Sequence, residues 1–102
     1  MKEFTAEELK SEMDRGANLV IIDVREPYEH EEFNIGGEVI PLAEIPFNSD
    51  RLKELGDVEI VLYCRSGNRS LMAQKILSMQ FGINNTINLK GGIIAWKEMM
   101  NR

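Results

Sequence analysis

The chain has 102 residues, which is the size of one ordinary domain and leaves no room for two. Hydrophobic residues make up 43% and charged residues 28%, so the chain can bury a packed core and is not expected to be disordered. Its net charge of -5 disfavours a nucleic-acid partner. A single cysteine cannot form an internal disulfide, and no apolar run approaches the length of a membrane span. We therefore expect no membrane association and a cytoplasmic location.

The first elements follow from clear local signals. Thr5 and Glu8 fit a capping box, which predicts a helix near 6–15. A continuous, β-branched run at 19–22 predicts a strand that is buried on both faces and ended by Asp23.

Strands and helices then alternate along the rest of the chain. We predict three further strands, at 39–40, 59–63 and 86–89. We predict four further helices, at 26–33, at about 50–55 with Ser49 as its cap, at 70–81 followed by Gly82, and after Gly91-Gly92. This order favours a mostly parallel sheet with helices on both faces. Ligands of such sheets bind beyond the carboxyl ends of the strands, where Asp23, Cys64 and Lys90 lie.

The most informative stretch is the loop that follows the strand at 59–63 and begins at Cys64. Gly67 and Asn68 tolerate unusual backbone angles, so the loop can curl and direct its N–H groups inward. These donors and the following helix N-terminus form a concave site for negative charge. A thiolate in that site is stabilised, so we expect the pKa of Cys64 to be lowered. Arg65 and Arg69 add positive charge, and no separate general base is required.

Other readings of these residues are weaker. Cys64 could be an inert core residue, but such a cysteine needs neither two flanking arginines nor a Gly-Asn turn. His30 lies in an acidic stretch and is predicted to be on a solvated helix face. One histidine and one cysteine without ligand spacing form no zinc site, so we predict no metal and no cofactor. Asp23 and Arg25 stand at a strand end, where a supporting role is favoured over an ordinary surface pair.

Three motifs together resemble a single-domain rhodanese-like sulfurtransferase over nearly the whole chain. They are Asp23-Val24-Arg25-Glu26, Cys64-Arg65-Ser66-Gly67-Asn68-Arg69-Ser70, and Leu89-Lys90-Gly91-Gly92 followed by Trp96. The resemblance implies that residues 1–102 form one rhodanese-like domain. It also implies a five-stranded, mostly parallel sheet flanked by helices, with a short first strand around Glu3-Phe4.

The resemblance further implies an activity. Cys64 would take a sulfane sulfur from a small anionic donor such as thiosulfate, become a persulfide, and pass the sulfur to cyanide or a thiol. The loop residues that would bind the substrate are Arg65, Ser66, Gly67, Asn68, Arg69 and Ser70. Asp23 and Arg25 would brace the loop without touching the substrate.

One region departs from many members of the family. The segment Phe33–Pro41 lacks the usual Gly-His-Ile element and looks like the rhodanese modules attached to enzymes that adenylate sulfur-carrier proteins. A sulfur-carrier protein is therefore a candidate acceptor beside a thiol. Two other functions stay open at this point: a phosphatase or arsenate reductase of related fold, and a non-catalytic binding or regulatory module. Four residues separate Cys64 from Arg69, whereas the similar phosphatase loops carry five, which favours sulfur transfer.

Overall fold

Five parallel strands form the centre of the structure, a computed structural model that describes residues 2–102. Met1, the first residue of the predicted domain range, lies outside the described residues. The strands are β1 (Lys2–Phe4), β2 (Leu19–Asp23), β3 (Glu38–Val39), β4 (Glu59–Tyr63) and β5 (Thr86–Leu89). The helices are α1 (Ala6–Asp14), α2 (Pro27–Glu32), α3 (Ser49–Lys53), α4 (Asn68–Phe81) and α5 (Gly92–Met100), with a 3₁₀ helix at Leu42–Asn48.

The order of the strands places β4 in the middle of the sheet. Across the sheet the order is β1-β5-β4-β2-β3, so β4 lies between β5 and β2. The predicted five-stranded parallel sheet and the short first strand are thereby confirmed. Because β4 leads directly into Cys64, this arrangement sets the cysteine at the middle of the carboxyl edge.

Helices cover both faces of the sheet and create two apolar cores. Side chains of a strand alternate between the faces, so Leu62 joins one core and Tyr63 the other. The first core contains Leu77 of α4, and the second contains Trp96 of α5. No helix within residues 2–102 is long and apolar enough to cross a membrane.

Several of the predicted helix boundaries are confirmed. Thr5 and Glu8 make both hydrogen bonds of the capping box before α1. Gly82 adopts a left-handed conformation and ends α4. The strand β2 is less buried than predicted, because its first three residues remain partly exposed and only Ile22 and Asp23 are fully covered.

Four details of the prediction were wrong. Helix α4 begins at Asn68, two residues earlier than predicted, because Gly67 takes the left-handed cap conformation. Ser49 does not cap α3 but is its first residue. The 3₁₀ helix was not predicted; Pro46 inside it cannot donate the backbone hydrogen bond that a longer α-helix needs. Strand β3 is shifted by one residue, to Glu38–Val39.

The glycine pair before β3 offers a test of this packing. Both glycines have positive φ, +96° at Gly36 and +87° at Gly37, as expected of a backbone turn. A Cβ on Gly37 would lie 2.7 Å from the carbonyl carbon of Ile21 in β2, whereas a Cβ on Gly36 meets nothing within 4 Å. An alanine would therefore be strained at both positions because φ is positive, but it would clash with β2 only at position 37.

We expect Gly37→Ala to lower the free energy of unfolding by about 3 kcal/mol or more, from strain and overpacking together. Gly36→Ala should lower it by only about 1 kcal/mol, from strain alone. Urea unfolding followed by circular dichroism measures both. Equal losses in the two variants would contradict the close approach of Gly37 to β2.

Candidate active site

The Cys64 loop connects β4 to α4 at the carboxyl edge of the sheet. Cys64 is 1% exposed and follows the fully buried Tyr63. The loop turns at Gly67, whose φ of 100° places its N–H toward the cysteine side chain. A Cβ at this position would lie 3.3 Å from the backbone nitrogen of Gly91, so glycine also allows the loop to approach the turn before α5. The loop therefore needs a glycine at position 67 both for its left-handed turn and for its close approach to Gly91.

Three groups make hydrogen bonds to the Cys64 sulfur. The backbone N–H of Gly67 donates to Sγ at 3.1 Å, and the backbone N–H of Ser70 donates at 3.4 Å. The hydroxyl of Ser70 lies 3.4 Å from Sγ. Because these N–H groups belong to the cap and first turn of α4, the helix dipole also favours negative charge on the sulfur. The inward-facing donors that the sequence predicts are therefore present.

This environment favours the ionised cysteine. Burial of the thiol opposes ionisation, but the hydrogen bonds from Ser70 and Gly67, with a smaller contribution from the nearby backbone N–H of Ser66, outweigh it and hold the pKa of Cys64 below its ordinary value. The thiolate is the nucleophilic form of cysteine. The site can therefore present a nucleophilic sulfur without a neighbouring base.

Asn88, which the sequence analysis missed, links the sulfur to β5. Its side-chain oxygen accepts a hydrogen bond from the Ser70 hydroxyl at 2.5 Å, and its side-chain nitrogen donates to the Gly67 carbonyl at 3.4 Å. The Gly67 carbonyl can only accept, so it fixes which end of the amide faces Ser70. The signal for this residue was an amide side chain in the fully buried strand β5.

The N-terminus of α5 supports the same loop from the other side. The N–H groups of Ile93 and Ile94 donate to the carbonyls of Cys64 and Arg65, at 3.0 and 3.1 Å. Gly92 has no room for a side chain, because a Cβ there would lie 2.6 Å from the Arg65 carbonyl oxygen and would also meet that of Cys64. The motif Leu89–Gly92 therefore serves to bring a second helix N-terminus onto the loop.

Asp23 and Arg25 form a buried ion pair at the carboxyl end of β2. Asp23 is fully buried and accepts hydrogen bonds from the backbone and guanidinium of Arg25, the closest at 2.8 Å. Burial opposes ionisation, but hydrogen bonds from Arg25 and His30 hold the pKa of Asp23 below its ordinary value. His30 lies with Nδ1 2.9 Å from the same carboxylate, and its side chain is 21% exposed. The prediction of a solvated His30 was wrong, because α2 turns it inward to the carboxylate.

The pair holds the segment between α2 and β3. Arg25 donates to the carbonyl of Phe33 at 2.7 Å, and its guanidinium lies 5.7 Å from the centre of the Tyr63 ring. The Tyr63 hydroxyl donates to the Gly36 carbonyl at 2.9 Å, and burial together with the nearby Asp23 charge raises the pKa of Tyr63 to about 12. Within residues 2–102, Asp23 and Arg25 make no hydrogen bond to the Cys64 loop. Any support that they give it passes through α2 and Tyr63.

Arg69 joins the loop to α2 directly. Its guanidinium makes two hydrogen bonds to Glu29, at 2.8 and 2.9 Å. These bonds lower the pKa of Glu29 to about 2, so the carboxylate is ionised at neutral pH. Glu29 was not predicted as a site residue, although the acidic stretch around it was noted. The charge of Arg69 is thus balanced by a partner.

Arg65, Ser66 and Asn68 form the exposed part of the loop. The side chain of Arg65 makes no hydrogen bond or ion pair with any residue in the described range 2–102. It borders a cleft of about 290 Å³ beside the loop, which is also bounded by Phe33 of the α2–β3 segment and Lys97 of α5. The side chain of Arg65 is therefore an unpaired cation beside the Cys64 loop.

The Ser70 and Asn88 contacts predict that replacing these two residues shifts the pKa of Cys64 in opposite directions. In the thiolate form the single hydroxyl hydrogen of Ser70 can bind either the sulfur or Asn88. Ser70→Ala removes a donor, so we expect the pKa of Cys64 to rise. Asn88→Leu releases the hydroxyl hydrogen toward the sulfur, so we expect that pKa to fall.

The pH dependence of Cys64 alkylation by iodoacetamide measures these pKa changes, because the thiolate is the reacting form. At neutral pH we expect the alkylation rate to fall several-fold in Ser70→Ala and to increase in Asn88→Leu. A rise of the pKa in both variants would show that Asn88 only maintains the shape of the loop.

Comparison with known proteins agrees with this geometry. Two relatives match most of their own length: a putative sulfurtransferase, YtwF, of Bacillus subtilis (38% identity over 98 residues, 95% of this chain and 91% of the relative) and a sulfurtransferase of Allochromatium vinosum (34% identity over 97 residues, 94% and 88%). The probable adenylyltransferase/sulfurtransferase MoeZ of Mycobacterium tuberculosis is 36% identical over 97 residues. That match covers 94% of this chain but only 24% of MoeZ.

Solved structures show the same fold. The rhodanese-related protein of Thermoplasma volcanium is 30% identical with a TM-score of 0.77, covering 97% of this chain and 93% of the other. A rhodanese-like domain protein of Staphylococcus aureus is 30% identical with a TM-score of 0.78, covering 94% and 91%. The family described as Rhodanese-like domain matches residues 5–99. With the strand order, the buried cysteine loop and these matches in agreement, the chain belongs to the rhodanese-like domain family.

Proposed function

We propose that this protein is a sulfurtransferase that carries a sulfane sulfur on Cys64. The observation that carries the proposal is the Cys64 sulfur, buried and held by the Gly67 and Ser70 donors, with its pKa lowered. Sulfur transfer is also supported by the names of the relatives that match most of this chain. The donor, the acceptor and the roles of individual residues are the finer parts of the proposal.

The first half-reaction loads the cysteine. The Cys64 thiolate attacks the outer sulfur of a small anionic donor such as thiosulfate, and the bond between the two donor sulfurs breaks. Sulfite leaves with the bonding electron pair, and Cys64 becomes a persulfide. The same N–H donors that stabilise the thiolate support the negative charge of the terminal sulfur.

The second half-reaction transfers the sulfur from Cys64 to the acceptor. A nucleophile, such as cyanide or the thiolate of an acceptor, attacks the terminal sulfur, and the Cys64 thiolate leaves. The favoured ionisation of Cys64 also makes it a good leaving group. Both half-reactions therefore depend on the ability of the loop to stabilise negative charge on sulfur.

Phosphoryl transfer is less well supported by the carboxylates around the loop. An aryl phosphate requires an acid that protonates the leaving group. Asp23 and Glu29 are both ion-paired with lowered pKa values, so neither is a proton donor at neutral pH. The loop between Cys64 and Arg69 is also one residue shorter than the phosphatase loops it resembles. We therefore expect no useful hydrolysis of aryl phosphates.

The acceptor is proposed to be a thiol or a sulfur-carrier protein. This chain spans about a quarter of MoeZ, whose name combines adenylyl transfer with sulfur transfer. A further relative, of Bacillus subtilis, is named a putative sulfur carrier protein. We place the reaction in the cytoplasm, where a single cysteine stays reduced, and expect neither nucleic acid nor a membrane as partner.

The proposal predicts that the protein gains the mass of one sulfur atom when it is incubated with thiosulfate. Cys64→Ser should abolish both this adduct and thiocyanate formation from cyanide. Intact-protein mass spectrometry and a colorimetric thiocyanate assay measure the two effects. Continued turnover by the serine variant would exclude Cys64 as the sulfur carrier.

Arg65 is predicted to attract the anionic donor, since its charge is unpaired in the described range while the protein as a whole is acidic. We expect Arg65→Ala to raise KM for thiosulfate about threefold to tenfold at low ionic strength and to weaken the salt dependence. Arg51→Ala is the matched control. It removes the same charge beside Glu38 of β3, the edge strand that β2 separates from β4 and its loop. An unchanged KM in Arg65→Ala, or an equal change in the control, would rule out this role.

A further inference from the structure

A cleft of about 290 Å³ lies next to the Cys64 loop. Two of its walls belong to that loop or bind it: Arg65 is the residue after the nucleophile, and the Ile93 N–H donates to the Cys64 carbonyl. The volume is close to the lower end, about 300 Å³, of the range for small-molecule sites, which suits a ligand the size of one amino acid. The cleft is lined by Arg25, Tyr28, Glu29, Glu32, Phe33, Arg65, Ile93 and Lys97.

The charges around the cleft divide into paired and unpaired groups. Arg25 is neutralised by Asp23, and Glu29 by Arg69. The side chains of Arg65, Lys97 and Glu32 are exposed and make no ion pair or hydrogen bond with other residues in the described part of the chain. The cleft therefore presents two available cations and one available anion around a single space.

Lys97 is also held in position. Its ammonium nitrogen lies 4.5 Å from the centre of the Phe33 ring, which is a favourable cation–π distance. An aromatic face orders the side chain but leaves its positive charge uncompensated. The other aromatic wall, Tyr28, is 64% exposed, so its ring is accessible to a bound molecule.

We propose that this cleft binds the sulfur acceptor, and that the acceptor is an amino-acid thiol with both a carboxylate and an ammonium group. The carboxylate binds Lys97 and Arg65, and the ammonium group binds Glu32. This proposal rests on the proposed sulfurtransferase function and names the class of its acceptor. The bound acceptor thiolate attacks the terminal sulfur of the Cys64 persulfide; the S–S bond of the persulfide breaks, the Cys64 thiolate leaves, and the acceptor departs as its own persulfide.

Four thiols that carry different combinations of the two charged groups test the proposal. Protein preloaded with sulfur and verified by mass is mixed with cysteine, N-acetylcysteine, cysteamine or 2-mercaptoethanol, and loss of the sulfur is timed in a single turnover. N-acetylcysteine lacks the ammonium group, cysteamine lacks the carboxylate, and 2-mercaptoethanol lacks both. Each variant is compared with the unmodified protein for the same thiol, so differences in intrinsic thiol reactivity cancel.

We expect Lys97→Ala to slow transfer to cysteine and N-acetylcysteine about threefold to fivefold, as for the loss of one exposed ion pair, without a comparable loss for cysteamine or 2-mercaptoethanol. Glu32→Gln should slow transfer to cysteine and cysteamine but not to N-acetylcysteine. Lys53→Ala is the matched control: Lys53 also lies over an aromatic ring, that of Phe81, but before β4 and so at the opposite edge of the sheet. It should slow transfer to none of the four.

Different results would contradict the sulfurtransferase function and the acceptor cleft. If Cys64 takes up no sulfur, the proposed function and the acceptor cleft are both wrong. If the persulfide forms but Lys97→Ala and Glu32→Gln slow all four thiols equally, or slow none, the cleft alone is excluded as the acceptor site. Circular dichroism of each variant confirms that the fold is retained.

Discussion

The convergence of two helix N-termini on one loop is the constraint on which the site depends. Helix α4 begins with N–H groups directed at the Cys64 sulfur, and α5 begins with N–H groups directed at the carbonyls of Cys64 and Arg65. Both approaches need a residue without a side chain, at Gly67 and at Gly92. A buried thiol would normally resist ionisation. Here the donors reverse that tendency, so the Ser70 hydroxyl and the backbone N–H groups of the loop, rather than a neighbouring base, favour the thiolate.

A second layer of contacts keeps this loop in place at the carboxyl edge of the sheet. Helix α2 contributes Glu29, which binds Arg69 of the loop, and His30, which binds the buried Asp23. The charges that stabilise the fold are therefore paired with one another, whereas Arg65 and Lys97 are unpaired in the described range and face the cleft. This division explains how an acidic protein can offer local positive charge to the anionic sulfur donor that we propose.

Prediction from the sequence succeeded where a local signal determines the structure. The capping box at Thr5, the apolar run of β4 and the glycine that ends α4 each reflect interactions between residues close in the chain. Cys64 could be predicted as the candidate nucleophile because it follows a buried strand and precedes a glycine-bearing turn. The 3₁₀ helix and the role of Ser49 were missed because Pro46 and the preceding turn alter the local hydrogen bonds in a way that periodicity does not reveal.

By itself, the sequence determined the alternation of strands and helices, the edge at which the candidate site lies, and the residue that we propose as the sulfur carrier. Only the tertiary structure showed that Asn88 orients Ser70, that Glu29 neutralises Arg69, and that Lys97 joins Arg65 at one cleft. These pairs are between 18 and 40 residues apart in sequence. Their contacts depend on the order β1-β5-β4-β2-β3, which brings β5 and α2 to either side of the loop. Such long-range neighbours leave no periodic or local mark in the chain, so their pairing is decided by packing.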